Sequence, residues 1–222
     1  VAGAYRTVMR AAESAAEQGL EFQINSAIGR FNRAQLSELL QTAIDLGAAA
    51  FHPFFLVPVG RGRGLSDEAL TGAGYEAALT ELYELSRDAP IPIKPTCAPQ
   101  YYRILRQREA AAGRRVTVAT HGHEASARGC IGGKAFAFVS HTGQVQICGF
   151  LEESAGSLRR KGMNFREIWE YSPFLLKIRE TSAYAGRCGG CSFVDVCGGC
   201  RARAFAASGS PLGGDPDCEY RE

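Results

Sequence analysis

The chain has 222 residues, 45% hydrophobic and 22% charged, with eight cysteines and a formal net charge of +2. That is enough apolar material for one large domain or two small ones. It gives no electrostatic case for nucleic acid, and no run of about 18 apolar residues is present to span a bilayer. The opening stretch VAGAYRTVMRAAESAAEQGL lacks the basic–apolar–small order of a signal peptide and starts in helical character without an initiator Met, so the sequence is expected to be a fragment lacking its N-terminal part. Cysteines partly arranged as C-x2-C pairs, in a chain this long and with no visible secretion signal, point to metal binding rather than to a disulfide framework.

Taken in order, Tyr5, Val8, Met9, Ala12 and Ala16 recur at helical spacing over residues 4–18, and Gly19 stops that helix. Residues 20–28, LEFQINSAI, alternate apolar and polar as a strand does. Asn32 and Gln35 stand at capping-box spacing before a helix whose face is Leu36, Leu39, Leu40, Ala43 and Ile44, ended by Gly47. The apolar run 48–59, AAAFHPFFLVPV, suits a strand covered on both faces. Thr71 is placed to cap a helix with the face Tyr75, Ala78, Leu79, Leu82 and Tyr83; residues 91–94 read as a short strand and residues 100–112 as a helix. This alternation predicts an α/β fold with a parallel sheet, whose ligands bind at the carboxyl ends of the strands, at residues 25–30, 58–64 and 95–100.

The character changes at residue 113. Residues 113–129 are polar and basic, with His121 and His123, and read as a loop. Residues 134–140 and 144–150 alternate around His141-Thr-Gly143 and predict a β-hairpin. Residues 164–171 read as an amphipathic helix with Trp169, at helical spacing from Phe165, toward a core; Pro173 fits the first turn of another, and a helix from about Arg201 to Ala207 precedes a Gly/Pro-rich tail. Two parts follow: residues 1–112, the end of an α/β sheet domain, and residues 113–222, a small domain in which a metal site substitutes for missing core.

Four cysteines fall within thirteen residues: Cys188-Gly-Gly-Cys191-Ser-Phe-Val-Asp-Val-Cys197-Gly-Gly-Cys200. From Cys130 onward the pattern reads C-x12-G-x4-C to Cys148, then C-x2-C-x5-C-x2-C, then x17 and Cys218. Soft thiolates select zinc or iron–sulfur clusters, and eight of them make two four-cysteine sites of either kind. Cys97, flanked by Pro95 and Pro99 after a strand, reads either as a ligand or group near substrate, or as a buried structural thiol.

This pattern resembles the SPASM domain, the auxiliary-cluster domain at the C-terminus of many radical S-adenosylmethionine enzymes, although the last pair is C-x2-C where the common form has C-x3-C. CGGCRARA (197–204), KPTCAPQYYRILRQR (94–108), FFLVPVGRGRG (54–64) and RGCIGG (128–133) are similar to the tetrapyrrole-modifying subgroup, which serves siroheme-dependent haem synthesis and nitrite-reductase haem synthesis. The resemblance implies the C-terminal portion of a partial (β/α)6, TIM-like barrel at residues 1–112, followed by a small SPASM iron–sulfur domain, a β-hairpin plus helices, at residues 113–222. It implies one or two auxiliary 4Fe-4S clusters. Cys188, Cys191, Cys197 and Cys218 would hold one; Cys130, Cys148 and Cys200 would hold another, with Cys97 or a non-cysteine group in fourth place. It implies S-adenosylmethionine and a radical 4Fe-4S cluster in the full-length protein. The C-x3-C-x2-C motif for that cluster is not in this sequence, so catalytic residues are unassigned and the fragment alone is not expected to cleave S-adenosylmethionine.

The activity implied is removal or decarboxylation of carboxylate side chains of an iron-tetrapyrrole, with an auxiliary cluster in electron transfer or substrate binding. An electron donor or acceptor protein is the expected partner, with no nucleic acid and no membrane, in the cytoplasm. A peptide-modifying SPASM enzyme and a zinc-stapled binding module without catalysis are the alternatives. Asn25 and Ser26, at a strand end, are the expected cofactor contacts, against ordinary loop polarity. Arg61 and Arg63, in a glycine-rich loop, can hold carboxylates bidentately and are expected to dock substrate. Tyr101, with Tyr102, would cover a flat macrocycle. Arg201 and Arg203 either reach sulfides or carboxylates or form a solvated helix face.

Overall fold

The computed structural model describes residues 3–222, the side chains of Arg61 and His123 excepted. Helix α1 (Ala4–Glu17) forms where helical spacing predicts it, but only Ala12 is buried; Tyr5 and Val8 remain 71% and 57% exposed. Strands β1 (Gln23–Ile28) and β2 (Ala50–Phe55) pair in parallel, from Gln23 opposite Ala50 to Ile28 opposite Phe55. Both are shorter than the apolar patterns from which they were predicted. The expected strand at 91–94 lies parallel to β2 as a bridged segment, joined at Ile93 and Thr96. The Phe51 N–H donates to the Pro92 carbonyl, the Lys94 N–H to Phe51 and the Thr96 N–H to Pro53, each at 2.9 Å. Pro92 and Pro95 have no N–H to give, so the segment is bridged rather than a regular strand.

Helices α2 (Leu36–Asp45), α3 (Gly72–Ser86) and α4 (Gln100–Ala111) supply most of the first core. From the sheet, Ile28, Phe51 and Phe55 point into it at full burial, and Ile24 is partly buried against it. All five predicted face residues of α3 are buried, with Leu79 and Leu82 each contributing roughly 1.5–3 kcal/mol of hydrophobic stabilisation when fully removed from water. In α2, Leu36, Leu40 and Ala43 are buried, and Leu39 and Ile44 pack partly buried beside them. Capping differs from expectation. Asn32 accepts the Gly29 N–H at 3.0 Å and so caps a 3-10 stretch, Arg30–Gln35, that leads into α2. Thr71 has extended cap geometry, but its hydroxyl makes no cap hydrogen bond.

Beyond α4 the segment expected to be loop is partly helical. Thr117 accepts the Thr120 N–H and starts α5 (Val118–His121), and a 3-10 turn follows at Gly122–Ser126. The predicted hairpin is shorter than its alternating pattern and gains an unexpected third strand. Strand β3 (Phe138–Val139) pairs with β4 (Gln144–Gln146), which pairs with β5 (Gly156–Ser157), all antiparallel. Asn164 caps α6 (Phe165–Tyr171) by accepting the Glu167 N–H, and Pro173 opens α7 (Pro173–Arg179). A second core joins Ile147, Leu151, Leu175, Ile178, Cys200 and Ala202 to Val57, which follows β2. Trp169 packs partly buried on it, as expected. The cysteine-rich region therefore completes its core with a side chain from the sheet region. Helices α8 (Gly186–Gly189) and α9 (Arg201–Ser208) flank the cysteine run. Among the described residues, no helix is long and apolar enough to cross a membrane.

Candidate metal centre

The cysteine run divides. Cys188, Cys191, Cys197 and Cys218 line a cavity of about 260 Å³. Cys97, Cys130, Cys148 and Cys200 line a larger one of about 1390 Å³. No thiol is joined in a disulfide. Cys197 and Cys200 part company across Gly198 and Gly199, at φ 60° and 65°, a left-handed backbone that only glycine adopts cheaply. A side chain at Gly199 would also meet Asp215 Cβ at 2.7 Å and Cys188 Sγ at 3.2 Å. The thiols influence one another within each set. Burial raises the Cys97 pKa, and Cys200, Cys148 and Cys130 add to it. Burial pushes Cys197 up to about 12, and Cys218 adds to that. Burial likewise pushes Cys200 up to about 11. As bare thiols these groups hold their protons, so ligation by them must release protons. Among the described residues, no three His, Cys, Asp or Glu side chains converge on one ion position.

Cys97 is the only non-glycine among the described residues with positive φ, at 56°. Such a conformation costs of order 1 kcal/mol and persists only where its surroundings hold it. Here its carbonyl accepts Arg203 Nη1 at 2.7 Å and the Tyr75 hydroxyl at 3.2 Å. Arg203 and Asp215, at 2% and 0% side-chain exposure, pair at 3.0 Å. Asp215 Oδ2 also accepts the Cys200 N–H at 2.6 Å and Gln100 Nε2 at 2.8 Å. Burial works against the charged form of Asp215, and Arg203 overrules it, holding that carboxyl below its ordinary value. One buried ion pair thus ties the backbone of Cys97 to that of Cys200. Of the two readings of Arg201 and Arg203, the solvated helix face is overturned: both are buried, because the first half of α9, Arg201–Ala204, is packed inside the fold. Asp215 and Tyr75 were not anticipated as site residues, and Gln100 only as the last residue of the segment 95–100. Nothing in their local spacing marks a buried polar network assembled across more than a hundred residues of chain.

Other expected site residues fall elsewhere. Strand alternation puts Asn25 and Ser26 on opposite faces. Asn25 lies beside His52 on the open face, with Lys94 next along the row. Burial and then Lys94 lower the His52 pKa. Ser26 shares the face of Ile24 and Ile28, so the two residues cannot reach one ligand from the same side. Arg63 is exposed in the 3-10 stretch Gly60–Glu68 and lines neither cavity; the Arg61 side chain lies outside the described residues. Tyr101 is a correction: it is fully buried in the first core, its hydroxyl donating to Ser86 Oγ at 3.2 Å, and Tyr102 lines the larger cavity instead. His121 lines that cavity but is engaged by Thr120 Oγ1 at 2.7 Å, with Glu109 at 3.6 Å; the His123 side chain is outside the described residues. The cavity's basic lining is Lys94, Arg114, Arg115 and Arg128 among others. Arg114 is paired with Glu109 at 2.7 Å, whereas Lys94, Arg115 and Arg128 are in no ion pair among the described residues.

No family model matches the chain. Its fold is similar to part of Streptococcus suis SuiB, solved bound to the precursor peptide SuiA, at TM-score 0.59 and 15% identity over 93% of this chain and 46% of that one. In sequence it is 42% identical over its whole length to an AdoMet-dependent heme synthase of Nitratidesulfovibrio vulgaris, covering 60% of that protein. It is also 42% identical to that of Methanosarcina barkeri over 99% of the chain and 62% of that protein. In sequence the chain is thus similar to AdoMet-dependent heme synthases, and it spans about 60% of the length of the relatives it matches.

Proposed function

We propose that the protein is a haem-forming radical S-adenosylmethionine enzyme that decarboxylates side chains of an iron-tetrapyrrole, and that this chain carries its auxiliary iron–sulfur sites. The observation that carries the reading is the four-and-four division of thiols, together with 42% identity to heme synthases. Residues 1–112 would contribute strands of a partial (β/α)6 barrel and residues 113–222 the SPASM domain. Cys188, Cys191, Cys197 and Cys218 would hold one 4Fe-4S cluster, and Cys97, Cys130, Cys148 and Cys200 the other. The donor set fits: four soft thiolates surround each cavity. A zinc ion with 2.3 Å bonds would draw its sulfurs to about 3.8 Å of one another, whereas thiols spread around a cavity suit a cluster of several atoms. Bound S-adenosylmethionine and the clusters would supply, respectively, the hydrogen-abstracting radical and the electron exchange. The chain's own residues bind and orient.

Asn25, on the open face of the sheet, is the retained candidate for nucleoside contact. The larger cavity is the candidate substrate site. It joins Cys97 and Cys148 to Tyr102, Phe136 and Phe150 as apolar walls, and to Lys94, Arg115 and Arg128 as carboxylate partners. That lining supports substrate docking there rather than at Arg63. The test is incubation of the anaerobic full-length protein with S-adenosylmethionine, a reductant and iron-coproporphyrin, followed by mass spectrometry and the haem absorbance bands. Loss of carboxyl groups as carbon dioxide is expected, weakened in Arg128→Ala and unchanged in Arg63→Ala. An unmodified tetrapyrrole alongside a modified peptide would replace this reading with a peptide-modifying one, the activity to which the SuiB fold also lends itself.

A further inference from the structure

Arg201 stands two residues before Arg203 on α9 but is held differently. It is the largest fully buried side chain of the described residues, at 1% exposure. Arg203 has Asp215 and Asp217 as counter-charges, while no carboxylate pairs with Arg201 among the described residues. Its Nη1 donates to the carbonyls of Pro211 at 3.0 Å and Gly213 at 2.7 Å, and its guanidinium lies 4.4 Å above the Tyr184 ring. Its Nε donates to the Gly199 carbonyl at 3.5 Å, and Nη2 donates to Cys188 Sγ at 3.5 Å. A buried charge is costly unless it is paired. A neutral thiol does not pair it, but a thiolate does.

We propose that Arg201 is a positioning cation for the smaller thiol site, its guanidinium balancing the Cys188 thiolate and holding the reduction potential of a cluster there upward. The proposal rests on the reading of Cys188, Cys191, Cys197 and Cys218 as a cluster site. A fixed positive charge favours the more negative, reduced state, and a hydrogen bond to sulfur acts in the same direction. Arg201 also lines the larger cavity, so the same side chain stands between the two sites. Tyr184, whose hydroxyl donates to the Ile178 carbonyl at 2.9 Å, fixes the plane against which the guanidinium lies.

The experiment uses full-length protein purified anaerobically and loaded with iron and sulfide. The signal to follow is the electron paramagnetic resonance of the reduced cluster that Cys218→Ser removes. Arg201→Gln is expected to retain its iron and to shift the reduced-to-oxidised ratio about tenfold toward oxidised at a fixed poise, ~59 mV for a one-electron couple. Arg201→Lys, which keeps the charge, is expected to recover most of that shift. A wild-type midpoint in Arg201→Gln, or equal shifts in both variants, overturns the proposal and leaves the thiol assignment standing. If Arg201→Gln does not fold, wild-type protein grown on 15N-arginine decides. A guanidinium nitrogen coupling on that signal supports the hydrogen bond to sulfur, and no coupling overturns it. If Cys218→Ser removes no signal, the cluster assignment fails and the proposal with it.

Discussion

The two thiol-lined cavities are built by different means. The smaller is local: Cys188, Cys191 and Cys197 lie within ten residues, and the tail brings Cys218. Its rim is closed by the edge contact of Phe193 with Tyr220, centroids 5.3 Å apart, and by the Ser192 N–H donating to the Glu222 carboxylate. The larger draws Cys97 from the sheet's third segment, Cys130 and Cys148 from around β3 and β4, and Cys200 from the cysteine run. It exists only once the sheet and the second core have met. A short glycine-rich turn can thus build one site, whereas the other depends on a buried polar dock between distant parts of the chain.

That contrast can be broken most forcefully at the dock. Asp215→Ala strands the Arg203 guanidinium and frees the Cys200 N–H, and is expected to cost about 3–5 kcal/mol in urea unfolding. A loss below about 1 kcal/mol would mean that Asp217, 3.2 Å from Arg203, carries the pair alone. Next comes Gly129, which precedes Cys130 of the larger cavity and abuts the carbonyl of Cys197 of the smaller. At φ 62°, any Cβ there would collide with that carbonyl oxygen. Gly129→Ala is expected to cost about 2–3 kcal/mol. Gly190→Ala, with open space around it and φ −102°, should change stability by less than about 0.5 kcal/mol. Equal effects would remove the case for close approach at Gly129.

The smallest effect concerns acid. Hydrogen bonds from Arg114 and then Tyr83 hold Glu109 down at about 2, against an ordinary value of 4.5. Because the folded pKa is the depressed one, this stabilisation is complete above about pH 4.5 and is lost as pH falls toward 2. Glu109 lines only the larger cavity. Thermal unfolding followed against pH should therefore flatten over that window in Glu109→Gln.

Much of the first core was legible in the sequence, because helical periodicity survives packing: the α3 face from Tyr75 to Tyr83 is buried as spaced. Strand lengths were less legible. Apolar runs such as 48–59 continue past the hydrogen-bonded ladder, and prolines interrupt the third segment. Strand β5, of two residues, is too short to carry a period and left no signal. At the site, the cysteine spacing marked seven thiols and the flanking prolines drew attention to Cys97, but neither showed the polar groups that hold them. Arg203 with Asp215, Gln100 and Tyr75 meets through tertiary contact alone, and Tyr101 was misplaced because two adjacent tyrosines on one helix point in different directions.

The most direct measurement of the central claim is the iron content and electron paramagnetic resonance of Cys200→Ala and Cys218→Ala, each purified anaerobically beside the wild type. The two residues line different cavities, so the variants are expected to lose different signals, each keeping the one the other lacks. Loss of the same iron and the same signal in both would contradict the division and leave a single-cluster domain.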